Sequence, residues 1–104
     1  MQMHHKKRLE IIIEALLAEQ ITIIIDEAGA LGYSVIPLLA GKGLSGSWTS
    51  EGQVSRASSM VAIICIIDQS IADSLLQSLF PIISRHMGVL SISDILVKIG
   101  RAHV

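Results

Sequence analysis

The longest uninterrupted apolar stretch of the chain is Met60–Ile67, in which eight consecutive residues carry no strongly polar side chain. A helix that crosses a membrane needs roughly 20 apolar residues, so this stretch is too short to span a bilayer. Its length and its β-branched residues predict a strand that is covered on both faces or lies centrally in a sheet. We therefore expect the core to form around this strand, without insertion into a membrane.

The chain carries more apolar residues than a small monomer can bury. Its 104 residues are the size of one domain, spanning 1–104, and 51% of them are apolar. A domain of this size buries only about 60–70% of the surface that its unfolded chain exposes. The excess favours a homo-oligomer, in which neighbouring subunits cover the remaining apolar surface.

The segment before the apolar stretch predicts a strand, a helix and a second strand. Alternating side chains over residues 9–17 are typical of a strand, and the apolar spacing of residues 18–31 is typical of an amphipathic helix. Residues 33–40 predict the second strand. Because Pro37 cannot donate a hydrogen bond to a neighbouring strand, this second strand is expected at a sheet edge or at a bulge.

The segment after the apolar stretch predicts a second helix and a fourth strand. Ser70 and Asp73 have the spacing of a capping box at the start of the helix, and Pro81 is expected to kink it. Residues 89–99 predict the strand, in which the apolar alternation changes phase near Asp94. Either a bulge or a change in the buried face would explain that shift.

The predicted order of elements is therefore β-α-β-β-α-β. This order predicts an α+β, ferredoxin-like domain with an antiparallel four-stranded sheet and both helices on one face. The other face is expected to be too apolar to face water and to form the contact between subunits. We expect it to draw on Ile11, Ile13, Val61, Ile63, Ile92 and their neighbours.

A long connection between the second and third strands, about residues 41–59, is too polar to enter the core. Glycine and serine supply ten of its nineteen residues. Connections longer than about 12–15 residues in a compact domain are usually functional or disordered. Gly41-Lys42-Gly43 at its start is suited to an anion, because glycine lets backbone N–H groups approach and lysine adds charge. A flexible glycine hairpin explains the same residues equally well.

Several classes of function lack the residues that they need. The two predicted central strands carry no aromatic side chain for stacking RNA bases, and a net charge of −1 does not attract nucleic acid. The histidines and Cys65 have no metal-ligand spacing, and Cys65 is expected to be an inert core thiol. We expect a protein that is not an enzyme and has no metal or covalent cofactor. The N-terminus lacks an apolar secretory region, so a cytoplasmic location is expected.

Three short stretches resemble the PII-like family of trimeric signalling proteins, over about residues 7–101. They are Gly29-Ala30-Leu31-Gly32-Tyr33-Ser34-Val35, Gly41-Lys42-Gly43 and Met87-Gly88-Val89-Leu90. The resemblance implies a homotrimer with adenine nucleotides in clefts between subunits. It also implies that residues 41–59 are the family's T-loop, which contacts partner proteins, and that the turn before the last strand is its B-loop.

The resemblance further implies a set of binding residues, grouped by the part of the ligand that they meet. The expected nucleotide- or anion-binding residues are Gly41, Lys42 and Gly43 at the T-loop base, Leu31, Gly32 and Ile64 near adenine, Gly88 and Val89 in the B-loop, and Arg56, Arg101 and His103 as phosphate donors. Trp48, the aromatic residue of the T-loop, is expected to anchor a protein partner. Local packing against the loop base accounts for Trp48 equally well.

Departures from the nitrogen-regulating members change the expected ligand. The B-loop lacks a lysine, and Met60 stands where the family has a basic residue. Fewer cations imply fewer phosphates, so ADP or AMP is expected rather than ATP. The pattern is closer to divergent members tied to inorganic-carbon handling and the regulation of carbon fixation. That likeness implies bicarbonate as a second ligand, and a bicarbonate transporter or a carboxysome component as partner. The alternative is a CutA-like or other trimeric ferredoxin-like module that senses no nucleotide.

Overall fold

The computed structural model describes residues 2–43, 46–49 and 59–100. They form nine elements, which are β1 (His4–Glu14), a 3-10 turn (Ala15–Leu17), α1 (Ala18–Glu27), β2 (Tyr33–Pro37), β3 (Ala40–Gly43), β4 (Gly46–Thr49), β5 (Met60–Ile67), α2 (Gln69–Arg85) and β6 (Gly88–Val97). Neither α1 nor α2 is long and apolar enough to cross a membrane.

Four of the strands form one antiparallel sheet in the order β2-β5-β1-β6. Together with the two helices, this arrangement confirms the predicted ferredoxin-like fold. The continuously apolar β5 lies inside the sheet, between β2 and β1, as its composition indicates. β2 lies at an edge, where Pro37 does not interrupt a ladder between two neighbours.

The core lies between the sheet and the helices. Leu9, Ile11 and Ile13 on β1 point to the helices, and alternate residues of β5 join them in the same layer. Each fully buried aliphatic side chain of this kind stabilises the fold by about 1.5–3 kcal/mol relative to its exposed state. The helices contribute Ile21, Ile25, Ala72, Leu75 and Leu79 to this core.

The predicted assignment of side chains to the two sheet faces was wrong. Ile11 lies opposite Ile63 and Ile13 opposite Val61, and all four are buried beneath the helices. Ile92 lies opposite Leu9 and so points to the same side. Because side chains alternate along a strand, an error of one position moves the whole set to the other face. The face without helices, here called the open face, carries Ile12, Ala62, Ile64 and Ile66 together with Arg8 and Glu10.

The pairing of β1 with β6 accounts for two further differences from the predictions. β1 begins at His4, earlier than predicted, because His4 pairs with Val97. The register then runs without a bulge to Ile13, opposite Gly88. The change of phase in β6 is therefore a change in the buried face. Leu90 packs against the core under the helices, whereas Ile95 is half-buried on the open face.

Two local predictions in the remaining segments also differ from the structure. The capping box at Ser70 is wrong, because α2 begins at Gln69 and the preceding Asp68 makes no side-chain capping bond. The connection predicted to lack regular structure begins with a hairpin of β3 and β4, in which Gly41 lies opposite Trp48. Residues 44–45 and 50–58 of that connection lie outside the described residues.

Candidate functional site

A cleft of about 390 Å³ opens at one end of the open face. This volume lies within the range of about 300–1,000 Å³ that is usual for small-molecule sites. The cleft is bounded by the loop between α1 and β2, by the last residues of β5, by the start of α2 and by the chain after β6. Much of its wall is apolar, formed by Leu31, Ile64, Ile66, Ile71 and Ile99.

The end of α1 shapes the loop that borders this cleft. Gly29 has a φ of 90°, a left-handed conformation that glycine adopts at little cost. Its N–H donates to the carbonyl of Asp26 at 3.1 Å, and the N–H of Ala30 donates to that of Ile25 at 3.4 Å. These two bonds form a Schellman motif, which ends the helix sharply. The chain then presents Leu31, 80% exposed, at the cleft.

The charged side chains that line the cleft among the described residues are Lys6, Lys98 and Asp68. The Nζ atom of Lys6 donates to Oδ1 of Asp68. The Lys6 side chain is only 18% exposed, whereas that of Asp68 is 62% exposed. Lys98 follows the end of β6. One cation of the cleft is therefore paired within the chain, and its net charge is about one positive unit.

These three charged residues were not predicted from the sequence. Lys6 and Lys98 are far apart in sequence and line the same cleft because the start of β1 pairs with the end of β6. An earlier start of β1 would have predicted their proximity. His4 and His5 precede the predicted start of β1, but in the structure they pair with Val97 and Leu96.

Cys65 belongs to the strand that forms the floor of the cleft, but its side chain is buried on the helix side. Burial raises the pKa of its thiol to about 11. The thiol therefore stays protonated near neutral pH and does not act as a nucleophile there. This agrees with the inert role that the sequence indicates.

The predicted site residues fall into two groups. Leu31, Gly32 and Ile64 line the cleft. The B-loop residue Gly88 lies opposite Ile13 on β1, at the far end from His4. Ile64 lies opposite Glu10, three steps along β1 from Ile13 and so about 10 Å from the level of Gly88. Gly88 and Val89 nevertheless do not line the cleft, and neither do Gly41, Lys42 and Gly43 of the T-loop base.

The T-loop base lies near the B-loop end of the sheet. β2 runs away from the cleft, because Tyr33 pairs with Cys65 and Pro37 pairs with Val61. Gly41, Lys42 and Gly43 follow in β3. Lys42 is exposed, and a Cβ atom built on Gly43 would meet nothing within 4 Å.

The B-loop turn is more closely packed than the T-loop base. A Cβ atom built on Gly88 would lie 3.1 Å from the Ile12 carbonyl oxygen and 3.3 Å from Ile13 Cγ1. Val89, the next residue, is exposed on the open face. This end of the sheet therefore combines exposed backbone at Gly43 with a tight turn at Gly88.

Some predicted residues cannot be placed. Arg56, Arg101, His103 and the side chain of Trp48 lie outside the described part of the chain. Within residues 2–43, 46–49 and 59–100, no group of three or more His, Cys, Asp or Glu residues is arranged to hold a metal ion.

Comparison with known proteins gives a consistent result. The model of the family "Nitrogen regulatory protein P-II" matches residues 6–100. No curated protein matches the sequence. A solved structure of CPII, a PII-like protein from Thiomonas intermedia K12 bound to ADP, AMP and bicarbonate, is similar with a TM-score of 0.85. Its identity to this chain is 30%, over 92% of this chain and 91% of that one.

Two further structures bear on the alternatives. CPII bound to ADP and bicarbonate is 32% identical with a TM-score of 0.80, over 92% of this chain and 91% of that one. CutA1 from Oryza sativa is 16% identical with a TM-score of 0.58, over 93% of this chain and 84% of that one. At that identity, the likeness to CutA1 concerns the fold alone.

Proposed function

The chain belongs to the nitrogen regulatory protein P-II family, and from this membership we propose that it is a single-domain regulatory protein that binds ADP or AMP together with bicarbonate. Members of the family bind adenine nucleotides, form trimers and regulate other proteins rather than catalyse reactions. The observation that carries the proposal is the bound ADP, AMP and bicarbonate of CPII, which is 30% identical over most of both chains.

We place the nucleotide between two subunits of a homotrimer. Leu31, Gly32 and Ile64 line the cleft of one chain but the T-loop base and the B-loop do not, so in this proposal a neighbouring subunit supplies them. The open face supports such a contact, because it carries Ile12, Ala62, Ile64 and Ile66 without a covering helix. Burial of this surface between subunits also accounts for the apolar excess of the sequence.

In this proposal, each group of residues meets a different part of the nucleotide. Leu31 and Ile64 offer apolar surface to the adenine ring, and Gly32 allows the ring to approach the backbone. A neighbouring subunit contributes the T-loop base, where backbone N–H groups of Gly41 and Gly43 and the charge of Lys42 meet the phosphates. Gly88, Val89, Arg56, Arg101 and His103 complete the proposed set.

The proposed output of binding is the arrangement of the T-loop. Gly41–Gly43 belong to β3, which pairs with β4 in the hairpin at the start of this loop. Nucleotide held at β3 therefore acts on the same hairpin that carries Trp48. We propose that the loop then presents Trp48 to a protein of inorganic-carbon handling, either a bicarbonate transporter or a carboxysome component, in the cytoplasm.

Calorimetric titration tests the proposed ligands. ADP, AMP, ATP and cyclic AMP would each be titrated with and without bicarbonate, and we expect ADP or AMP to bind with micromolar affinity. Binding with a Kd of 1 mM corresponds to only about −4 kcal/mol. An absence of heat with all four nucleotides up to about 1 mM would refute the nucleotide-binding function and favour a CutA-like module.

A pair of variants tests the position of the site. Leu31→Glu places a charge on the cleft wall and should weaken ADP binding by at least tenfold, with little effect on folding because Leu31 is exposed. Ile23→Glu is the matched control, since Ile23 is 48% exposed on α1 and does not line the cleft. Equal affinities for the two variants would place the site elsewhere.

A further inference from the structure

The cleft contains a carboxylate that a site for phosphate-bearing ligands does not need. Asp68 lies between β5 and α2, and its Oδ1 atom accepts a hydrogen bond from Lys6 Nζ. Extending the β1–β5 register by one position beyond Lys7 and Ile67 brings these two residues opposite each other on the open face. The cleft therefore holds a fixed negative charge beside one of its two described cations.

Asp68 lowers the positive potential of the cleft in two ways. It partly neutralises Lys6, which leaves Lys98 as the other described cation of the wall. It also stands immediately before α2, where the helix dipole places partial positive charge. Its side chain makes no capping bond to that helix and is directed to Lys6 instead. The net positive charge of the cleft still attracts an anion, but Asp68 adds a repulsion that grows with the charge of the ligand.

We infer that Asp68 is a specificity-determining residue of the cleft, where its charge disfavours nucleotides in proportion to their number of phosphates. This inference rests on the proposed function, because it concerns the same nucleotide site. It supplies a physical reason, within the described residues, why ATP gains less affinity from its additional phosphates than it would beside two unopposed lysines. The sequence alone indicates a preference for ADP or AMP only from missing cations.

Asp68→Asn isolates the charge. Asparagine keeps an oxygen for Lys6 and is also favoured before a helix, so the local geometry should persist. A unit charge about 10 Å from the phosphates in water changes affinity by about twofold per ligand charge. AMP and ATP differ by about two charges, so the ratio of the AMP Kd to the ATP Kd should rise about fourfold at low salt. At 0.1 M salt, the shift should fall below about twofold.

Lys6→Met supplies a change of opposite sign. It removes the cation and leaves Asp68 uncompensated, so the same ratio of Kd values should fall by about fourfold. Asp94→Asn is the matched control, because Asp94 accepts a hydrogen bond from Lys7 but neither residue lines the cleft. We expect it to change the ratio by less than half as much. All three variants should melt within a few degrees of the parent, because the carboxylate of each pair is largely exposed and such pairs contribute about 0–1 kcal/mol.

The outcomes separate this inference from the proposed function. Opposite shifts in Asp68→Asn and Lys6→Met that shrink with salt would support it. If the parent binds nucleotides but Asp68→Asn changes the AMP, ADP and ATP affinities equally, or no more than Asp94→Asn does, the inference is wrong and the proposed function stands. If the parent binds none of the three nucleotides, both are wrong.

Discussion

Replacing Ile12 by glutamate should dissociate the trimer while leaving the single chain folded. Ile12 is half-buried on the open face near the B-loop end of the sheet, opposite Ala62 on β5 and Val89 on β6. Glutamate is preferable to lysine here, because Glu10 and Glu14 flank the position on the same face and would stabilise a cation. A third carboxylate in this row has no such partner.

The expected loss of association free energy has two sources, the apolar burial that isoleucine provides and the charge that glutamate adds. Covering the exposed half of an isoleucine side chain contributes about 1 kcal/mol, and three copies contribute about 3 kcal/mol to one trimer. Burying a carboxylate costs several kcal/mol more per copy after relaxation. Each 1.4 kcal/mol is tenfold in an association constant, so a trimer that is stable at micromolar concentration should dissociate in the variant.

Light scattering after size-exclusion chromatography measures the mass of the assembly directly. The parent should elute with three times the 11.2 kDa mass of one chain, and Ile12→Glu should elute with the mass of one chain. Far-ultraviolet circular dichroism checks that the variant remains folded. The variant should also lose nucleotide binding, because the proposed site needs two subunits. Ile23→Glu on the outer surface of α1 should stay trimeric. A trimeric Ile12→Glu variant with a dissociated Ile23→Glu variant would show that the subunits meet through the helices.

Three further measurements test the core, the buried thiol and the T-loop base. Leu79→Ala should lower the free energy of unfolding by about 3 kcal/mol in urea titrations, because Leu79 is fully buried. Phe80→Ala is a larger truncation, but Phe80 is 69% exposed, so the loss should be less than about 1 kcal/mol. A larger loss in Phe80→Ala than in Leu79→Ala would refute the packing of α2. Burial raises the pKa of Cys65 from 9.0 to about 11. The free energy of unfolding should therefore be insensitive to this thiol below pH 9 and should fall as the pH rises toward 11. Cys65→Ala should remove that pH dependence. Gly43→Ala should melt like the parent, since its Cβ meets no atom within 4 Å, but should weaken ADP binding; unchanged binding would contradict a role for this backbone at the phosphates.

The fold was largely predictable because its strongest sequence signals act locally. The apolar run of β5 indicates an interior strand wherever the rest of the chain lies, and Pro37 indicates an edge for a reason intrinsic to proline. The assignment of faces was not predictable to the same degree. Ile11 and Ile12 are equally apolar, so composition does not say which of them lies beneath the helices. That choice depends on packing between segments distant in sequence.

The apolar part of the cleft was predictable, but its charges were not. Leu31, Gly32 and Ile64 were expected beside a ligand and line the cleft. The charges of the cleft depend instead on register. Lys6 bonds to Asp68 and shares the cleft with Lys98 because β1 continues past its last pair with β5, at Lys7, and stays paired with β6 as far as His4. A strand that began at Leu9, as predicted, would leave this pair outside the sheet.

A nucleotide site shared between two subunits, as proposed, would couple ligand binding to assembly. The T-loop base around Gly43 does not line the cleft around Leu31, so the proposed nucleotide contacts one of them in each of two chains. A ligand that binds only the assembled form stabilises it by mass action. Thermodynamic linkage then requires that assembly raise nucleotide affinity by the same factor. The charge of Asp68 enters this balance as well, because it lowers the bridging energy most for the nucleotide with the most phosphates. In this arrangement, a substitution on the open face that weakens assembly also weakens nucleotide binding. A substitution in the cleft that weakens nucleotide binding also removes the stabilisation of the assembly by the ligand.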